Sequence, residues 1–217
     1  MDPCGCDEFA SIFDARNAER DRDRYRKDGP DRSTAMLLDL IRRHGVAGAT
    51  VLDVGGGIGV IDQELLRSGA GRAVLVDASP ASLRVARDEA NRANVLDRLE
   101  IAEGDMVRLA PQLDDADIVT LDRVVCCYRD PVSLVGVSGA RARRLMGIVL
   151  PKDRRLIRIG LRIMNVVFRL RRSAYRAYAH PNRLVDELAA EQGLHPAAET
   201  GTFFWRVVLY ARADAGT

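Results

Sequence analysis

Lysine is almost missing from this chain: of 33 basic residues, only Lys27 and Lys152 are lysines. The bias toward arginine reads as genome composition first, although guanidinium groups do suit carboxylate-bearing ligands. Charge of one sign is also missing. The formal net charge of +2 gives no global electrostatic reason to expect nucleic acid or an acidic partner. There is no run of about 18 uncharged apolar residues, so no transmembrane span is expected. Residues 1–35 are too polar for a secretory leader, which points to a cytoplasmic protein. Four cysteines in such a chain read as reduced thiols or ligands more readily than as a disulfide framework. Neither an internal repeat nor a low-complexity tract is present.

What remains is a 217-residue chain, 47% hydrophobic and 29% charged, enough for one domain with a full core. Residues 1–47 read as a helical cap. FASIFDARNAERDRDRYR suggests a surface helix, and Ser33 or Thr34 is placed to cap a second helix that Gly45 ends. From residue 48 strand and helix alternate. The strands are TVLDV, RAVLVD, LEIAEGD, DIVTLD and LMGIVL, followed by a capped helix and a terminal hairpin. Units of this length imply an α/β, doubly wound, mostly parallel sheet with helices on both faces.

VLDVGGGIG, residues 51–59, places a glycine loop between a strand and a helix, the context a nucleotide-binding turn requires. A tight turn with no ligand is the bland alternative. A dinucleotide fingerprint would need glycine or alanine where Val60 stands, so the G-x-G-x-G spacing argues against a nicotinamide oxidoreductase. Asp77 ends the second strand, where a carboxylate can accept from both ribose hydroxyls. Asp105, in EGDM, is placed to meet an adenine amino group or simply to serve a turn.

Taken together, VLDVGGGIG, VLVDAS, AEGDM and DIVTLDRV resemble the ordered motifs of class I S-adenosylmethionine-dependent methyltransferases over about residues 48–150. The pattern also looks like small bacterial relatives of magnesium-protoporphyrin O-methyltransferase. The resemblance implies a Rossmann-like, seven-stranded sheet closed by an antiparallel C-terminal hairpin, and S-adenosyl-L-methionine as cofactor. It implies that Gly55, Gly57 and Gly59 surround the methionine part while Asp53 helps hold its ammonium. Asp77 would take the ribose, Ala78 would pack near the adenine, and Asp105 with Met106 would cradle the ring. Asp122 and Arg123 would face the sulfonium and the acceptor.

Methyl transfer from a sulfonium requires alignment, exclusion of water and, for a protonated acceptor, a base. The candidates are His180, Tyr25 and, for orienting a carboxylate acceptor, Arg123. Each also has a structural reading: a helix-start histidine, an exposed charged helix, a solvated arginine. A small-molecule acceptor is expected. The alternative is a non-catalytic cofactor-binding or regulatory protein on the same fold.

Residues 154–180 are longer than a connection needs and mix arginines with Leu156, Ile157, Ile159, Leu161, Ile163 and further apolar residues. Core packing, a lid over a bulky acceptor, peripheral membrane contact and a homodimer contact are the available uses. The spread of apolar residues around the wheel favours the lid. Cys4, Cys6, Cys126 and Cys127 lack the spacing of structural zinc, so no metal is expected. A redox pair is the remaining alternative to thiols lining a pocket rim.

Overall fold

The computed structural model describes residues 14–170 and 175–213. Cys4 and Cys6 therefore lie outside the described residues. Helix α1 is Ala15–Asp28 and α2 is Arg32–Arg43. Strand β1 (Thr50–Val54) is followed by α3 (Val60–Arg67), and β2 (Arg72–Asp77) by α4 (Pro80–Arg92). Next come β3 (Leu99–Glu103), the single-turn α5 (Met106–Leu109) and β4 (Ala116–Asp122). Helix α6 (Pro131–Arg141) runs directly into β5 (Ala142–Pro151). Helices α7 (Arg155–Leu170) and α8 (Asn182–Glu191) precede β6 (Leu194–Gly201) and β7 (Trp205–Arg212).

The seven strands lie in the order β3-β2-β1-β4-β5-β7-β6. The first five are parallel; β7 is antiparallel to both β5 and β6. This is the doubly wound sheet with a reversed C-terminal hairpin that the strand pattern predicts. Strand order turns back beside β1, so the carboxyl ends of β1, β2 and β4 face one crevice, where ligands of open α/β sheets bind.

Local signals fix the helices around it. Ser79 accepts from Ser82 N at 3.1 Å with Pro80 at the first helical position of α4. Asp130 does the same for α6, accepting from Val132 N and Ser133 N with Pro131 at its start. Helix α2 covers one sheet face with Leu37, Leu38 and Ile41, all fully buried and each worth roughly 1.5–3 kcal/mol. Gly147 on β5 admits it, because a Cβ there would lie 2.6 Å from Leu37 Cδ1. The expected cap at 1–47 is thus, where described, partly a layer of the main core.

The start of α2 differs from the sequence expectation. It begins at Arg32, and neither Ser33 nor Thr34 caps it; both are buried. Thr34 Oγ1 instead donates to Asp122 Oδ2 at 2.5 Å. The cap position falls to Asp31, whose carboxylate makes no cap bond and accepts from Arg123.

Residues 175–181 form no helix or strand and are fastened at two points. The Asn165 side chain exchanges two hydrogen bonds with the backbone of Ala177, at 2.7 and 2.9 Å. Tyr178 N then donates to Cys126 O at 2.7 Å.

Candidate functional site

At the carboxyl ends of β1, β2 and β4 lies a cleft of about 410 Å³. Its floor is the glycine loop. Gly55, Gly57 and Gly59 have φ of 65°, 59° and 72°, a region that side chains other than glycine rarely adopt. At Gly56 a Cβ would sit 2.2 Å from Asp53 Oδ2 and 2.4 Å from Leu75 Cδ1; at Gly57 it would meet nothing within 4 Å. Gly56 is therefore required by the protein's own packing, whereas Gly57 leaves open the space a ligand would use.

Asp77 holds that loop. Its Oδ2 accepts from Gly57 N at 2.9 Å and its Oδ1 from Ser79 N at 2.7 Å. Burial pushes its carboxyl up from the usual range, with the two N–H groups partly offsetting the shift. Each carboxylate oxygen keeps a second lone pair for a ligand. Ala78 and the buried Met106 form the adjoining apolar wall. Asp105 caps α5 through Val107 N and receives the Tyr128 hydroxyl on both oxygens, at 3.0 and 3.1 Å. Tyr128 is buried and braces Asp105.

Under the loop two carboxyls are fully buried. Asp53 Oδ1 accepts from Thr120 Oγ1 at 2.6 Å, while Asp53 Oδ2 and both oxygens of Asp62 lack a donor. Bare carboxylates would be costly there, and one proton held between Asp53 and Asp62 removes the difficulty. In keeping with this, burial raises both: Asp62 to about 7, and Asp53 well above the usual range with further help from Asp62's charge. Nothing in the sequence singled out Asp62, which sits in an ordinary first helical turn.

At the far end Asp122 takes Thr34 on Oδ2 and Arg123 Nε on Oδ1, the latter at 3.2 Å. Arg123 has φ of +61°, an uncommon conformation for a non-glycine residue, and its Nη1 donates to Asp31 Oδ2 at 2.6 Å. Cys126, Cys127 and Tyr175 also line this end, with Cys127 Sγ 3.0 Å from Tyr175 Oη and 3.9 Å from Cys126 Sγ. Among the described residues no three His, Cys, Asp or Glu side chains converge as a metal site.

The three candidates for chemistry fall differently. Arg123 borders the cleft. Tyr25 borders it too, but its hydroxyl donates to Glu64 Oε1 at 2.9 Å and accepts from Arg67 at 3.2 Å. Burial, then Glu64, pushes the phenol up to about 12, so its proton is held. His180 stands outside the cleft lining: Nε2 meets Tyr128 O at 2.8 Å and the ring stacks on Tyr178, with burial lowering its pKa. No residue of α7 borders the cleft either; Tyr175, beyond its end, does.

Comparison with known proteins follows the same outline. Residues 51–139 match the family model described as a methyltransferase domain. The chain is 37% identical over 79 residues to ribosomal protein L11 methyltransferase of Pelotomaculum thermopropionicum, covering 36% of this chain and 26% of that protein. With the Aeromonas hydrophila protein of the same name it shares 30% over 120 residues, 55% of this chain and 40% of the relative. The match thus spans well under half the length of these curated relatives. In overall fold it resembles magnesium protoporphyrin IX methyltransferase of Synechocystis PCC 6803 with bound S-adenosylhomocysteine. The TM-score is 0.73 at 18% identity, covering 94% of this chain and 98% of that one. An O-methyltransferase family protein of Burkholderia thailandensis aligns at TM-score 0.68 and 19% identity, over 87% of this chain and 59% of that one. A glycine loop pinned by the acid ending β2, set in the 3-2-1-4-5-7-6 sheet and matched by that family model, identifies the chain as carrying a class I S-adenosylmethionine-dependent methyltransferase domain.

Proposed function

We propose that the chain transfers a methyl group from S-adenosylmethionine to a small, largely apolar acceptor that carries a carboxylate. The observation that carries this reading is the single continuous cleft. It runs from Asp77, Ala78 and Asp105 past the glycine loop to Arg123, Cys127, Tyr175 and Trp205. Its volume is of the size that encloses small ligands.

Asp77 would accept from the ribose hydroxyls, Ala78 and Met106 would flank the adenine, and Asp105 would take its amino group. Gly55, Gly57 and Gly59 would let the backbone close around the amino-acid part. The Asp53–Asp62 pair, sharing one proton, keeps one negative charge beneath the ammonium. Bound S-adenosylmethionine supplies a methyl group on sulfur, with a neutral thioether as leaving group. The chain's own task is then alignment and exclusion of water.

Among the described residues, the groups at the acceptor end are engaged rather than free as bases. Asp122 is held by Thr34 and Arg123, the Tyr25 proton is held, and His180 is directed at a backbone carbonyl. An acceptor already ionised near neutral pH needs no base. Arg123 would orient it through the guanidinium N–H groups that Asp31 and Asp122 leave free.

The test is methyl transfer from label-bearing S-adenosylmethionine to a panel of apolar carboxylic acids, with ribosomal protein L11 alongside. Label in a carboxylic acid is the expected result. Label in the protein alone would overturn the acceptor class. Tight S-adenosylhomocysteine binding with no turnover of any acceptor would favour a non-catalytic, regulatory role.

A further inference from the structure

We propose that α7 is a docking surface for an anionic lipid bilayer. The helix is sided. Ile157 and Leu161 are buried and pack with Ala177, near Tyr175 and Phe204. Leu156, Ile159, Ile163, Val166, Val167 and Leu170 recur at helical spacing on the outward side and are all exposed, Leu156 by 74% and Leu170 by 76%. Phe203, 71% exposed in the β6–β7 turn, lies beside the start of this helix, with the Arg154 guanidinium 5.9 Å from its ring centre.

Charge selects the occupant. At about 100° per residue, Arg155, Arg158, Arg162 and Arg169 fall in one narrow row along an edge of the exposed apolar stripe. From residue 154 to 185 the chain contains no aspartate or glutamate. Among the described residues, only Arg158 of the four has an ion-pair partner, Asp153 at 3.8 Å. An apolar stripe edged by arginines, only one of which has an acidic partner, matches the boundary between acyl chains and anionic headgroups, where long basic side chains reach sideways to phosphate. Two copies packed stripe to stripe would bring an acid-free arginine row toward its own kind, and the helix does not border the cleft, so it does not roof an acceptor. No helix among the described residues is long and apolar enough to cross a membrane, so the contact is a surface one.

The full chain should co-sediment with vesicles of phosphatidylcholine containing roughly a third phosphatidylglycerol, at least about tenfold more than with phosphatidylcholine alone, and should be released by high salt. Ile159→Glu with Ile163→Glu, and separately Arg158→Glu with Arg162→Glu, should each abolish this binding while S-adenosylhomocysteine affinity stays within about twofold. Leu156→Ser with Leu170→Ser, at the two most exposed apolar positions of the helix, serves if the introduced charges prevent folding, and should lower vesicle binding about tenfold or more. Equal binding to neutral and anionic vesicles, or none to either, would overturn the proposal. So would a dimer in sedimentation equilibrium that the same isoleucine substitutions dissociate.

Discussion

Arg123 Nη1 lies 2.6 Å from Asp31 Oδ2, so the guanidinium at the exit of β4 is held by the turn that leads into α2. Thr34 reaches Asp122 from the first turn of α2. The end of the cleft proposed for the acceptor is therefore assembled from the N-terminal helices as much as from the sheet.

Asp31→Ala removes the group that positions Arg123 without touching the Asp77 end. Acceptor kcat/KM should fall about tenfold, the scale of one charge-assisted hydrogen bond, while S-adenosylhomocysteine affinity changes less than about threefold. Steady-state kinetics beside calorimetry would check the split; equal losses in both would show that the turn only supports folding.

Asp77→Ala removes the acceptor of two loop N–H groups and the proposed ribose contact. Calorimetry should show S-adenosylhomocysteine binding weakened by about 30-fold or more, with Asp77→Asn intermediate. Unchanged affinity would remove Asp77 from the cofactor site.

Gly56→Ala and Gly57→Ala separate packing from ligand space. The first forces a Cβ into Asp53 and Leu75 and should lower the melting temperature strongly. The second meets no atom but carries a φ of 59°, so about 1 kcal/mol of stability should be lost together with most cofactor affinity. Thermal melts with and without S-adenosylhomocysteine distinguish the two.

The Asp53–Asp62 pair predicts a pH dependence. Both carboxyls have folded pKa values raised above those of the unfolded chain, Asp62 to about 7, so the native state binds the extra proton. Stability from this pair is then present at low pH and is lost as pH rises from about 4 toward and beyond 7. Asp62→Asn keeps a donor for Asp53 Oδ2 without needing that proton. It should stabilise the protein by about 2 kcal/mol at pH 8 and much less at pH 5. Melts that show the same gain at both pH values would refute a shared proton.

Much of the cofactor end was legible because its signals are local. A strand, a glycine loop and a helix follow one another within a few residues, and Asp77 and Asp105 each end or follow a strand. The pairs that shape the rest join residues far apart: Asp31 with Arg123 across 92 positions, Thr34 with Asp122 across 88. Thr34 read as a helix cap because its local sequence fits one; the tertiary bond to Asp122 claimed the hydroxyl instead. Tyr128 lines the cleft and gives its hydroxyl to Asp105, 23 positions away, a pairing that no local pattern announces. The lid expectation for 154–180 rested on apolar residues all around the wheel. Burial claims only one side of that wheel, and the other faces outward.

The two bonds between Asn165 and Ala177, continued by Tyr178 N to Cys126 O, make a short mechanical linkage from the outward helix to the wall that carries Cys127. Phe168 adds an edge contact to the Tyr175 ring, 5.3 Å between centres. Helix α7 and the cleft wall bearing Cys127 and Tyr175 are thereby one hydrogen-bonded unit, so losing the Asn165 side chain would be felt at the thiols although α7 itself stands clear of the cleft.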